Sequence, residues 1–220
     1  MKFDRFLDIN CSYLSPNLLN NDIVGNNAYD FTVFHNNVRS LNKNFNGILD
    51  IFSNCNKLPD ILAITETKLD NGKDAPELDG YDFEHLDSPT SAGGVGAYIS
   101  NKFNYTTRDD LKMHVPHCED LWLNIPLHDG NILVVGIIYC HPGHKYTTFT
   151  EKLCDNLNYF SMSKINYIIV GDMNIDALKF NLSSNVTDYI NSLYSVGCYI
   201  GIDKPTRVTA HGSSCIDHAY

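Results

Sequence analysis

Polar residues able to do metal-assisted chemistry stand at four places in this chain, each just after an apolar run. Asn36 and Asn37 follow residues 31–35, Glu66 follows 60–65, Asp172 and Asn174 follow 167–171, and Asp217 follows Cys215 and Ile216. The ends of core strands are where residues distant in sequence gather into one cleft. Carboxylates and carboxamides, without His or Cys at ligand spacing, favour a hard, oxygen-seeking cation such as Mg²⁺, with Mn²⁺ as the alternative. Such an ion polarises a phosphoryl oxygen and stabilises a leaving oxygen. Each residue taken singly has a plainer reading. Asp172 turns the chain after Gly171, Asn174 caps the next segment, Glu66 lies on the surface beside Lys68, and Asn37 caps the next helix.

The elements that must position these residues are legible in the hydrophobic pattern. Residues 31–35 alternate like a half-buried strand. Phe45, Ile48, Leu49 and Phe52 give residues 42–55 a helical spacing. Residues 60–65 read as a buried strand introduced by Pro59, and 93–99 as a glycine turn feeding a strand. Two further strands, 121–125 and 132–139, flank Asp129-Gly130, a hairpin signal. A helix is expected over 148–160, with Phe149, Leu153 and Leu157 on one face. A buried strand comes next at 167–171, then a helix over 186–196 with Gly197 as its stop. A last strand begins at Cys215. Many strands with interspersed helices predict a layered α/β or α+β sandwich.

Composition narrows the class. The chain has 220 residues, 43% of them hydrophobic, enough for one domain with a substantial core. We expect that domain over residues 30–220, preceded by a polar, loosely ordered leader, 1–29. Residues 1–10 hold charges and no apolar stretch, so no secretory signal is expected. The longest apolar runs are far too short to span a bilayer, and no membrane partner is expected. Seven scattered cysteines include no CxxC pair, which predicts free thiols in a reducing, intracellular setting, nucleus or cytoplasm. A net charge of −10 argues against a tight, independent grip on nucleic acid.

Seven motifs then fall in one order. They are His35-Asn36-Asn37-Val38-Arg39-Ser40-Leu41, Thr65-Glu66-Thr67-Lys68, Gly93-Gly94-Val95-Gly96, Glu119-Asp120-Leu121-Trp122, Tyr139-Cys140-His141-Pro142, Gly171-Asp172-Met173-Asn174, and Pro205-Thr206-Arg207 with Ile216-Asp217-His218. In type and order they resemble the endonuclease/exonuclease/phosphatase superfamily, and within it the apurinic-like endonuclease domain of non-LTR retrotransposons. The resemblance implies a four-layer α/β sandwich of two packed mixed sheets flanked by helices. It implies a Mg²⁺-dependent endonuclease that nicks DNA, in a polyprotein with a downstream reverse transcriptase. By the same resemblance Glu66 ligates the metal and Asn37 sits beside metal and phosphate. Asp172 positions or deprotonates the attacking water, Asn174 orients it, and Tyr139 contacts the phosphate or leaving oxygen. A different phosphoester substrate, or an inactive binding domain of the same fold, are the other readings the resemblance leaves open.

Asp217 matches the family's Ile-Asp-His/Tyr element, whose Asp orients a catalytic His, because it is preceded by Ile216 and lies close behind Pro205-Thr206-Arg207. The final Ser-Asp-His element and the last sheet strands are then expected beyond Tyr220, with impaired activity for these 220 residues. His35 and His141 are expected to be ordinary strand or loop residues.

Overall fold

The apolar runs pair into two sheets. The computed structural model describes residues 11–15, 31–69, 74–88, 92–127 and 130–220. In chain order the strands are β1 (Val33–Asn37), β2 (Ile61–Thr65), β3 (Tyr81–Leu86), β4 (Val95–Ser100), β5 (Thr106–Thr107), β6 (Cys118–Pro126), β7 (Ile132–Cys140), β8 (Asn166–Asp172), β9 (Arg207–Thr209), β10 (Gly212–Ser214) and β11 (Asp217–Ala219). The helices are α1 (Leu41–Ile51), α2 (Thr147–Ser163) and α3 (Ser184–Ser195). One sheet has the order β1-β2-β4-β3, the other β11-β8-β7-β6-β5, and β9-β10 is a separate hairpin. Among the described residues only β1/β2 and β7/β8 pair in parallel; the other ladders are antiparallel.

Side-chain alternation sorts the core into layers. On β7, Leu133, Val135, Ile137 and Tyr139 face the first sheet, meeting Ile61, Ala63, Val95, Ala97 and Ile99. The intervening Val134, Ile138 and Cys140 face Phe149, Leu153 and Leu157 of α2 and Ile190 and Leu193 of α3. A strand buried on both faces cannot alternate with polar residues, which is why 132–140 reads as a continuous apolar run. The outer face of the first sheet, with Leu62, Ile64 and Tyr98, is covered by Leu41, Phe45 and Ile48 of α1. The result is helix, sheet, sheet, helix: the expected four-layer α/β sandwich.

Several boundaries differ from the sequence reading. The first strand starts at Val33 and runs through Asn37, because its parallel ladder continues to the pair Asn37 and Thr65. The first helix ends at Ile51, and the chain then makes a turn in which the Cys55 N–H donates to the Phe52 carbonyl at 2.8 Å. The hairpin between β6 and β7 closes with Leu127 N–H donating to Asn131 O at 2.8 Å; Asp129 lies outside the described residues, and Gly130 holds φ +82°. β3, β5 and the β9-β10 hairpin have no counterpart among the elements expected from the sequence. Of the expected leader only residues 11–15 are described, and there the Tyr13 hydroxyl donates to Pro205 O at 3.0 Å. No helix among the described residues is long and apolar enough to cross a membrane.

Candidate active site

Parallel pairing sets the site. Because β1 runs beside β2 and β7 beside β8, the C-terminal ends of each pair lie side by side, carrying Asn37 and Glu66 in one sheet and Tyr139 and Asp172 in the other. Packing of the two sheets closes the gap between these ends. β11 runs antiparallel to β8 and places Asp217 opposite Asp172. These residues line one cleft of about 650 Å³ with His35, Arg39, Asn174, Thr206 and Arg207.

The contacts inside the cleft are short and polar. The Asn37 carboxamide donates to Glu66 Oε1 at 2.8 Å and to Asp172 Oδ2 at 2.5 Å. One amide thus bridges carboxylates from two sheets and offsets their repulsion. Asp172 Oδ1 accepts the Asn174 N–H at 3.0 Å, and the Asn174 side chain donates to Cys140 O at 2.8 Å. Asn174 reaches this position through a left-handed backbone, φ +51°, as does Glu66 at φ +53°. Non-glycine residues held at positive φ cluster at functional sites, where surrounding contacts over-determine them. Gly171 is required for another reason: a Cβ there would lie 1.9 Å from the Ile138 carbonyl oxygen of β7. Tyr139 and Glu66 face one another across the same cleft.

Burial and like charge set the proton affinities. Asp172 is 3% exposed, and burial, with Asp217 and Glu66 adding to it, pushes its carboxyl up to about 6. Burial first, then Glu66, Asp172 and Glu119, push the Tyr139 phenol well above its ordinary value, so it remains a proton-bearing donor. Burial lowers His35 against the opposing pull of Asp217, so the imidazole is neutral at pH 7 and its 3.8 Å approach to the Asp217 carboxylate is not an ion pair.

All six residues singled out from the sequence, Asn37, Glu66, Tyr139, Asp172, Asn174 and Asp217, line this cleft. Two others carry no role in the sequence reading. His35, there an ordinary strand residue, lines the cleft, with Nε2 3.2 Å from Thr65 Oγ1 and Nδ1 facing Asp217. The signal is present, since a residue two before Asn37 on a strand shares its face. Thr206 Oγ1 accepts the N–H groups of Ile216 and Asp217, each at 3.1 Å, and so holds the start of β11. Only its place in Pro205-Thr206-Arg207 marks it in the sequence.

Comparison with known proteins agrees with this architecture. The sequence profile of the endonuclease/exonuclease/phosphatase family matches residues 37–220. No curated protein matches the chain. Among solved structures, the endonuclease domain of TRAS1, a telomere-specific non-LTR retrotransposon, is similar with a TM-score of 0.62 at 13% identity, covering 86% of this chain and 84% of that one. The AP endonuclease LMAP from Leishmania major is similar with a TM-score of 0.59 at 12% identity, over 86% and 78% of the two chains. The 3′ phosphatase NExo from Neisseria, bound to a product DNA hairpin, gives 0.52 at 17% identity, over 86% of each chain. At such identities these likenesses speak for the fold.

Proposed function

Because the chain belongs to the endonuclease/exonuclease/phosphatase family, whose profile spans residues 37–220, we propose that its cleft hydrolyses a DNA phosphodiester with the help of Mg²⁺. One observation carries the reading: Asn37, Glu66 and Asp172, from three strand ends in two sheets, converge within hydrogen-bonding distance. The order of motifs along the chain and the likeness to the TRAS1 endonuclease domain support the retrotransposon branch. On that branch a nick supplies the primer for a downstream reverse transcriptase.

The donor set fits the ion. Among the described residues no group of three or more His, Cys, Asp or Glu is arranged to enclose a metal. Mg²⁺ does not need such a cage, since it keeps several waters and uses one or two carboxylates together with substrate phosphate. Glu66 would supply the carboxylate, with Asn37 beside it; the Asn37 NH₂ faces Glu66 and Asp172 and its Oδ1 accepts the Arg39 N–H at 3.3 Å, so the amide would turn to offer the ion an oxygen. The elevated proton affinity of Asp172, raised by burial and by two neighbouring carboxylates, indicates a cleft short of positive charge. When bound, the ion would neutralise charge developing on the phosphoryl oxygens.

The chain's own residues divide the remaining work. Asp172, ionised above about pH 6, accepts the proton of a water placed for in-line attack. Asn174, pinned by Cys140 O and by Asp172, orients that water. The Tyr139 phenol donates to the phosphate or to the departing 3′ oxygen. Asp217, held by Thr206 and facing His35, maintains the negative wall of the cleft on the β11 side.

Incubating the 220-residue chain with supercoiled plasmid and Mg²⁺ tests the proposal. Open circles should appear, vanish with EDTA, and fall by at least about a hundredfold in Glu66→Ala, the range for losing a preorganised charge stabiliser. Nicking unaffected by EDTA or by Glu66→Ala would overturn the assignment.

A further inference from the structure

Beneath the floor of the cleft, on the face of β6 and β7 turned toward α2, stands a pair of thiols. Cys118 and Cys140 are directly opposite one another in the β6/β7 ladder. The next pair outward is a hydrogen-bonded one, His141 N–H donating to His117 O at 2.8 Å. Antiparallel ladders alternate, so Cys118 and Cys140 form a non-hydrogen-bonded pair. Their free backbone groups agree: Cys118 N–H donates to Val115 O at 3.2 Å, and Cys140 O accepts Asn174 Nδ2 at 2.8 Å. Opposed residues at such sites have Cα atoms about 4.5 Å apart, with side chains on the same face. That lies within the roughly 4.4–6.8 Å a disulfide bridges without moving backbone. Both side chains pack into the same core cluster against α2.

We infer that Cys118 and Cys140 form a reversible cross-strand disulfide when the protein meets a peroxide. Cys118 is half-buried, whereas Cys140 is 5% exposed, so Cys118 takes the oxidant first. His117, His141 and His144 line the same small cavity as the two cysteines. The Cys118 sulfur attacks one oxygen of hydrogen peroxide, the O–O bond breaks, and the other oxygen leaves as water, giving a sulfenic acid. The Cys140 sulfur then displaces hydroxide from that sulfur, and its proton leaves with the hydroxide as a second water. Two thiols lose two electrons and one peroxide becomes two waters. The bond joins residues directly opposed in the ladder, next to the carbonyl that holds Asn174.

The test needs no enzymatic activity, so its failure is distinct from failure of the nuclease reading. The reduced, folded chain is treated with hydrogen peroxide, denatured, alkylated and weighed. Two of the seven cysteines should escape alkylation, a proteolytic peptide should link Cys118 to Cys140, and dithiothreitol should restore both thiols. In Cys140→Ala the sulfenic acid on Cys118 should accumulate and be trapped by dimedone, and in Cys118→Ser no link should form. Seven alkylable thiols after peroxide, a link between other cysteines, or direct passage of Cys118 to sulfinic acid would each overturn the inference.

Discussion

Asp172, proposed to accept the proton of the attacking water, carries a cost to stability. Its carboxyl titrates near 3.8 in the unfolded chain and at about 6 in the fold, chiefly because burial disfavours the charged form. Between those values the folded chain holds a proton that the unfolded chain has released. Stability therefore falls as pH rises through this window, and above pH 6 the full penalty, about 3 kcal/mol, is in place. In EDTA at pH 7, Asp172→Asn should raise stability by about 1–3 kcal/mol, less whatever the altered hydrogen bonds to Asn37 and Asn174 subtract. Below pH 4 the two proteins should unfold at similar urea concentrations. Equal stability at both pH values would mean that Asp172 is not the strained group it is taken to be. The same substitution should abolish nicking.

At the scale of elements, the site depends on how closely β7 and β8 approach and on how β11 is tied down. Gly171 sits where the two parallel strands leave no room for a methyl group, 1.9 Å from a backbone oxygen. Gly171→Ala must push backbone apart, so it should cost more than about 3 kcal/mol or prevent folding, as read from the denaturant midpoint. A loss below about 1 kcal/mol would show that the ladder yields easily.

β11 is anchored from both ends. His218 is buried with Nε2 2.9 Å from Ile175 O, and its Nδ1 is hydrogen-bonded to the hydroxyls of Tyr189 and Tyr220. At the start of the strand, Thr206 accepts two backbone N–H groups. Thr206→Val removes that acceptor at constant shape and should cost about 1–3 kcal/mol. It should also lower kcat more than it raises KM, because Asp217 loses its placement, while Thr206→Ser should retain both parameters. A Thr206→Val enzyme with wild-type kcat would dissociate Asp217 from the reaction.

For the molecule as a whole, charge sets the terms of any encounter with DNA. The net charge is −10, yet the cleft itself is flanked by Arg39 and Arg207. Binding should be weak and its salt dependence shallow. With two phosphates neutralised, the slope of log K against log salt should be about −2. A slope several times steeper, measured by fluorescence anisotropy on a short duplex, would mean that a broad basic surface contributes.

The sequence alone determined which residues stand as candidates for the chemistry and roughly where the strands lie. Glu66, Asp172 and Asn174 announced themselves because each follows an apolar run long enough to be a buried strand, a local property that needs no partner. Elements buried on both faces, such as β7, were legible because burial removes every polar residue from the run. The β9-β10 hairpin was not, since its mostly exposed residues carry no hydrophobic period; in β3, Tyr81 and Phe83 alternate with Asp82 and Glu84, too short a pattern to mark an edge strand unaided. Only the tertiary structure decided which strand ends meet. The bond from Asn37 to Asp172 joins residues 135 positions apart, and it exists because two parallel pairs end on the same side of two packed sheets. His35 entered the cleft for the same reason, and Cys118 came to face Cys140 through the antiparallel register of β6 and β7. Pairing register is a property of two strands together, and neither strand's sequence contains it.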